Sequence, residues 1–334
     1  MSLETELEAL RAAAAIFPLT DRAFLRITGP DATRWLNGMV TNNIKDLAPG
    51  EGNYNFLLNA QGRIQGDCTI YREPNDPLRP ERANADASFL LATDKSQVET
   101  IHQLLDKFII MDDVELTPTP SNEQTLLLLG PNASEIVHAY YASFKYGAVI
   151  DNLPATGLAL LPDDVEQVTT RPDGDHIAFE STGTHTDALL RFAKEHGATE
   201  ISPEALEAHR ILSATPKYGT DIRNTETAKD LPQETAQTHA LHFNKGCYLG
   251  QEIVERIRSR GQVHRTFTAF TLTGSIPQLP APLEAHIEGH AKPAGELTSA
   301  IQIGPNLHAL GYLRREFATL PLTYPNGAAT PKNL

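Results

Sequence analysis

The chain opens with leucines at 3, 7 and 10 on one helical face, interleaved with Glu4, Glu6 and Glu8, and this spacing predicts a helix within residues 1–15. The pattern changes to alternation over 23–27, which predicts a strand. Gly29-Pro30-Asp31 then opens a helix carrying Trp35, Leu36 and Met39 on one side. Residues 54–59 and 64–71 read as strands joined by a turn at Ala60-Gln61-Gly62. The polar stretch 73–87, with three prolines, reads as a long exposed hairpin connection. After a strand at 89–93, Ser96 with Glu99 three residues on forms a capping box. It predicts a helix whose buried stripe is Val98, Ile101, Leu104, Leu105 and Phe108.

Further along, a strand at 125–129 leads into a helix over about 132–142, and strands follow near Leu158 and Ile177. A helix over 186–196 is stopped by Gly197, and Ser202-Pro203 supplies a capping residue and first-turn proline for the next. From Phe267 the chain turns to short strands with Gly and Pro turns. Helices and strands mix without a regular βαβ rhythm, so the fold class is α+β and not a doubly wound sheet. The expected segments are 1–115 and 116–200 as two α+β units, the second ferredoxin-like. A connecting segment at 201–265 would pack back on the first, with an all-β domain at 266–325 and a frayed tail at 326–334.

A length of 334 residues suits two or three domains. A net charge of −14 repels phosphate backbones, which argues against nucleic acid as partner. No apolar stretch approaches the roughly 18–20 residues that span a bilayer, so no membrane partner is expected. The acidic opening lacks the basic start of a secretory signal, and two cysteines 179 positions apart do not make a disulfide framework. These features together point to a cytoplasmic protein.

Most chemical motifs are missing or incomplete. Gly50-Glu-Gly52 begins like a dinucleotide fingerprint, but residue 55 is Asn and the local pattern is turn into strand. His239 and His242 lack a third ligand at familiar spacing and read as loop histidines, so no metal site is expected. Two cysteines cannot hold a four-thiolate cluster within one chain.

Cys68 falls on an apolar strand face and reads as a buried structural thiol. Cys247 differs: it follows Lys245-Gly246, and a helix over 248–257 would place it at a helix N-terminus, where the dipole stabilises thiolate. Residues 245–265 hold five basic side chains (Lys245, Arg256, Arg258, Arg260, Arg265) against two acids, Glu252 and Glu255. That stretch is either an anion-attracting patch or a solvated helix face. By its residues alone, the site is a reactive or anion-binding cysteine.

The octapeptide Lys245-Gly-Cys-Tyr-Leu-Gly-Gln-Glu252, with Arg256 and Arg265 beyond it, resembles the signature of the YgfZ family. That family includes a mitochondrial iron–sulfur assembly factor and is related to the glycine-cleavage T-protein aminomethyltransferases. The likeness extends to Phe24–Gly38, Thr41-Asn42, Leu58–Arg63, Glu204–Asp221 and Pro232-Gln233-Glu234. Asp67 falls where the aminomethyltransferases carry a pair of acids.

The resemblance implies a three-domain aminomethyltransferase-like (cloverleaf) fold with a C-terminal β-barrel and a central folate channel. It also implies tetrahydrofolate, or a one-carbon derivative, as ligand, and iron–sulfur client or assembly proteins as partners. Cys247 would be the functional thiol. Trp35, Asn59, Glu234, Lys245, Gly246, Tyr248, Gln251, Glu252 and Arg256 would form the folate-binding set, with Lys245 and Arg256 holding thiolate or the folate glutamate tail. In the alternative implied activity, a folate-dependent aminomethyl- or methyltransferase, Asp67 would assist protonation at a folate nitrogen. One position departs from the family: Leu212 stands where many relatives carry a pterin-gripping glutamate.

Overall fold

A computed structural model describes residues 1–74, 87–119, 124–144, 146–161, 166–226, 228–261 and 263–332. Contacts divide the chain into two compact units: 1–57, 66–203 and 244–249 form the first, and 58–65, 204–243 and 250–334 the second.

The first unit begins with α1 (Leu3–Ala12), β1 (Ala15–Leu19), β2 (Arg22–Thr28), α2 (Ala32–Met39), β3 (Gly52–Leu58) and β4 (Ile64–Arg72). Next come β5 (Phe89–Asp94), α3 (Lys95–Asp106), β6 (Glu115–Pro118), β7 (Thr125–Leu129), α4 (Ala133–Ala142) and α5 (Gly147–Asp151). It closes with β8 (Gly157–Leu161), β9 (Glu166–Asp173), β10 (His176–Gly183), α6 (Thr186–Glu195) and β11 (Thr199–Glu200). The strands form a five-stranded sheet, β3-β4-β5-β2-β6, and a six-stranded sheet, β11-β1-β7-β10-β9-β8.

Helix α2 lays Trp35, Leu36 and Met39 on the first sheet, where they share a core with Leu25, Ile70, Leu91, Ile101 and Leu105. Burying each such side chain contributes roughly 1.5–3 kcal/mol. A second core, with Ile16, Leu128, Val137, Tyr141, Phe179 and Leu189, lies under α4 and α6. The sheets are tied by Gly52 N–H to Thr156 O (2.8 Å), Leu158 N–H to Gly50 O (2.9 Å) and the buried ion pair of Arg22 with Glu180.

The second unit holds α7 (Pro203–Leu212), α8 (Gln251–Arg260) and a closed barrel in the order β12-β15-β14-β13-β16-β17. The barrel strands are β12 (Arg265–Gly274), β13 (Ala281–Ile287), β14 (His290–Ile303), β15 (Asn306–Arg314), β16 (Leu322–Tyr324) and β17 (Gly327–Pro331).

Five expectations change. The tail is not frayed at 326, because β17 pairs with β12 and completes the barrel. Helix α3 starts at Lys95, whose N–H bonds Asp21 O at 2.7 Å, so Ser96 lies inside the helix and no capping box forms. Phe108 lies beyond that helix and is 37% exposed, leaving Ile101 and Leu105 as its buried stripe with Gln97. The boundary near 115 is crossed, since β1 pairs with β7 and β11 in the six-stranded sheet while β6 pairs with β2 in the other. Of the segment 201–265, residues 204–243 and 250–265 belong with the barrel unit, while 201–203 and 244–249 group with the first. The proline-rich connection lies mostly at 75–86, outside the described residues.

Candidate functional site

The first six residues of the octapeptide, 245–250, are a loop, and only Gln251 and Glu252 enter a helix. Helix α8 begins at Gln251, four residues after Cys247, because Gly250 sits at φ +83° in the left-handed region and breaks helical continuity. A Cβ on Gly250 would come within 2.6 Å of Asn59 O, so the break is built into the packing. The expectation of a helix-start thiolate at Cys247 is therefore corrected.

Within the loop, burial alternates sharply. Lys245 and Tyr248 are buried, whereas Gly246 and Cys247 between them are exposed. The ammonium of Lys245 donates to Val40 O (2.6 Å) and Asn42 O, and it lies 5.0 Å from the centre of the Tyr248 ring. Burial, with Lys45 nearby, lowers its pKa to about 7. At the other end, Leu249 N–H donates to Gly38 O at 3.0 Å.

The accepting segment is itself held to β3. Thr41 N–H bonds Phe56 O (3.1 Å), Phe56 N–H bonds the Thr41 hydroxyl (2.9 Å), and Asn42 N–H bonds Asn55 Oδ1 (2.9 Å).

Asp67 belongs to the same framework. Tyr54 donates its hydroxyl to the Asp67 carboxylate at 2.6 Å, and Gln97 Nε2 donates to the other oxygen at 2.8 Å. The Tyr54 carbonyl in turn accepts from Asn42 Nδ2 at 3.1 Å. Hydrogen bonds thus run from Asp67 through Tyr54 and Asn42 to Lys245. Burial pushes the Asp67 carboxyl up, against the lowering effect of its two donors. Tyr54 and Gln97 carry no motif, so their part could be read only from a β3–β4 pairing with α3 alongside.

Cys68, next on β4, is buried in the core, and burial pushes its thiol well up. It is a structural thiol, as its strand pattern suggests. Trp35 is also a core side chain, with its indole N–H on Phe108 O at 3.1 Å.

The other candidates lie in the second unit. The Asn59 side chain accepts from the N–H groups of Gln61 and Arg63, both at 3.0 Å, and shapes the turn. Glu234 is held by Arg265 (3.1 Å) and by Leu231 N–H. Gln251 is the first residue of α8, and exposed Glu252 pairs with exposed Arg256 one turn on at 2.6 Å. Arg258 pairs with Glu255, while Arg265 joins Asp230, Glu234 and Glu296. Arg256, Arg258 and Arg265 are therefore distributed among separate carboxylates; on α8 Arg256 and Arg258 form part of a solvated helix face. Among the described residues no group of three His, Cys, Asp or Glu is placed to hold a metal ion.

Residues 1–151 match the family described as GCVT N-terminal domain. The glycine cleavage system aminomethyltransferase T from Bartonella henselae matches all of this chain with a TM-score of 0.80 at 18% identity, over 89% of its own length. In fold, and over its first 151 residues in sequence, the chain is similar to the glycine-cleavage T-protein.

It has the aminomethyltransferase fold, ending in the six-stranded barrel. The mitochondrial iron–sulfur cluster assembly factor IBA57 homologue of Neurospora crassa is 28% identical over 295 residues, which are 87% of this chain and 61% of that protein. The chain thus spans about three fifths of that relative's length. An aminomethyltransferase of Anoxybacillus flavithermus is 25% identical over 272 residues, 79% of this chain and 70% of its own length. No helix among the described residues is long and apolar enough to cross a membrane.

Leu212 ends α7 with an exposed apolar side chain and offers no acceptor. Glu234, a candidate replacement, is committed to Arg265. Asp67 keeps one lone pair on each oxygen beyond its two donors.

A Cβ at Gly246 meets no atom within 4 Å, and the backbone there needs no left-handed φ. Gly246→Ala is expected to leave the melting temperature within about 2 °C of wild type, an effect below about 0.5 kcal/mol. Loss of function in a variant that melts normally would assign this glycine to an approaching molecule; a large drop in melting temperature would contradict the open geometry.

Proposed function

We propose that this protein binds tetrahydrofolate, or a one-carbon derivative, and acts in the assembly or repair of iron–sulfur clusters in client enzymes, with Cys247 as its working thiol. The observation that carries the reading is the contrast between the two cysteines. Cys68 is sealed in the core, whereas Cys247 is exposed at the tip of a loop anchored on both sides. Its surface position suits chemistry with another protein. The assembly-factor likeness of the Neurospora relative supports the same reading.

The reduced pterin would supply N–H donors and a one-carbon carrier. This chain's residues would do the holding: Asp67 accepts a pterin N–H on a free lone pair, while Tyr54 and Gln97 fix the carboxylate plane. With leucine at 212, one carboxylate contact is missing, which is expected to weaken binding by about tenfold relative to a chain with glutamate there. Calorimetric titration of tetrahydrofolate into wild type, Asp67→Asn and Leu212→Glu tests this. Saturable binding that weakens in Asp67→Asn and tightens in Leu212→Glu is expected. Absence of heat and of any Trp35 fluorescence change in all three would remove the folate half of the proposal.

A second reading, a folate-dependent aminomethyl- or methyltransferase, is favoured by Asp67. A carboxyl pushed up by burial keeps its proton closer to neutral pH and suits a general acid. Folate-dependent ammonia release from a lipoyl-bound aminomethyl substrate, lost in Asp67→Asn, would establish that reading.

A further inference from the structure

We infer that Lys245 is the positioning residue of the Cys247 loop, clamping it onto the main chain of Val40–Asn42 rather than contacting a ligand or pairing with the thiolate. This rests on the proposed role of Cys247 and deepens it.

An ammonium has three N–H donors. Two are spent on the carbonyls of Val40 and Asn42, and the Tyr248 ring covers the cation from 5.0 Å. The residue is 8% exposed, so an outside carboxylate has little access to it. Main-chain carbonyls are a fixed target, and these two sit on a segment bonded through Thr41 and Asn42 to β3. Leu249 N–H on Gly38 O closes the other end of the loop. Between the anchors, Gly246 and Cys247 are exposed while Tyr248 turns in. Five residues with both ends fixed have little freedom, so the direction in which Cys247 is offered is set before any partner arrives.

A lysine buried on carbonyls costs desolvation, and a leucine or methionine would fill the space without it. Its presence fits a demand for loop geometry that an apolar side chain does not meet, because only a long donor bridges the loop to two carbonyls. The same bonds connect the loop, through Asn42 and Tyr54, to Asp67.

The test compares wild type, Lys245→Met and Lys245→Arg in the full chain. Amide exchange over 246–249 and the pH profile of Cys247 alkylation by iodoacetamide are measured, with unreactive Cys68 reporting an intact fold. In Lys245→Met, exchange in the loop is expected to accelerate by about tenfold or more while protection of β3 and α2 is retained. The alkylation profile should keep its wild-type pH dependence, and rescue of an iron–sulfur enzyme defect should be lost. Lys245→Arg, which still donates to carbonyls, should recover part of the protection and part of the rescue.

Unchanged loop exchange in Lys245→Met overturns the clamp. So does a shift of the alkylation profile to higher pH by about one unit, which would make the lysine a counter-ion of the thiolate. Because exchange and alkylation involve neither folate nor cluster, a loosened loop in Lys245→Met alongside full rescue by Cys247→Ser would retain the clamp and reject the proposed function.

Discussion

Cys247→Ser is expected to abolish rescue of an iron–sulfur enzyme defect, down to the level seen without the protein, while leaving the fold intact. Cys247 is exposed and sits on a loop tip, and no core cluster includes it. Serine is nearly isosteric, so the change in stability should stay within about 0.5 kcal/mol. What serine lacks is the soft, ionisable sulfur needed for redox exchange or contact with iron or sulfide. Cys68→Ala is the matched control. That thiol is 2% exposed and packs among Leu57, Ile70 and Leu91, so its loss should cost about 1–2 kcal/mol and leave rescue in place at permissive temperature. Cluster-enzyme activity in cells carrying each variant, beside thermal melts of the purified proteins, separates the two effects. Undiminished rescue by Cys247→Ser would refute the central role of this thiol.

The largest stability effect is expected from Arg265→Met in the barrel unit. The guanidinium lies 4.5 Å from the Tyr312 ring and bonds Asp230 (2.6 Å), Glu234 (3.1 Å) and Glu296 (3.3 Å). Asp230 is fully buried, and burial already pushes its carboxyl up. Removing the shared cation leaves Asp230 and Glu234 facing each other, with Arg223 and main-chain donors still nearby. Breaking a buried ionic cluster from one side costs about 3–5 kcal/mol. Denaturant midpoints should fall accordingly, and adding Asp230→Asn should recover part of the loss by removing a buried negative charge. Additive losses in the double variant would show that Arg265 and Asp230 do not act as a unit.

Several elements were legible because their signals are local. The stripe of Trp35, Leu36 and Met39, the strands around the Ala60-Gln61-Gly62 turn, the helix stopped by Gly197 and the all-β character of the barrel all follow from periodicity and turn chemistry. Failures came where a distant backbone group decides the outcome. The start of α3 was misplaced because Asp21 O takes the Lys95 N–H, which a Ser-x-x-Glu pattern cannot register. Strand β17 resembles a tail in sequence because its residues, Gly-Ala-Ala-Thr-Pro, are small and have weak strand preference, and it is held in place by pairing with β12 more than 50 positions away. The helix expected from Tyr248 was cut back to Gln251 because Gly250 is needed in the left-handed region against Asn59 O.

The candidate site divides in the same way. By itself the sequence singled out Cys247 over Cys68, since one follows Lys-Gly in an unusual octapeptide and the other falls in strand alternation. It also placed Asp67 and marked Leu212 as out of pattern. Only the tertiary structure decided how the octapeptide's charges are used. Charge is a property of a residue, but its partners are chosen by the fold. Lys245 turns inward to Val40 and Asn42, Arg256 pairs along its own helix, and Arg265 serves the buried carboxylates Asp230 and Glu234 of the second unit. The basic stretch of the sequence thus becomes, in three dimensions, a clamp, a solvated helix face and a structural ion cluster. Main-chain carbonyls leave no mark in a sequence that would have foretold the clamp.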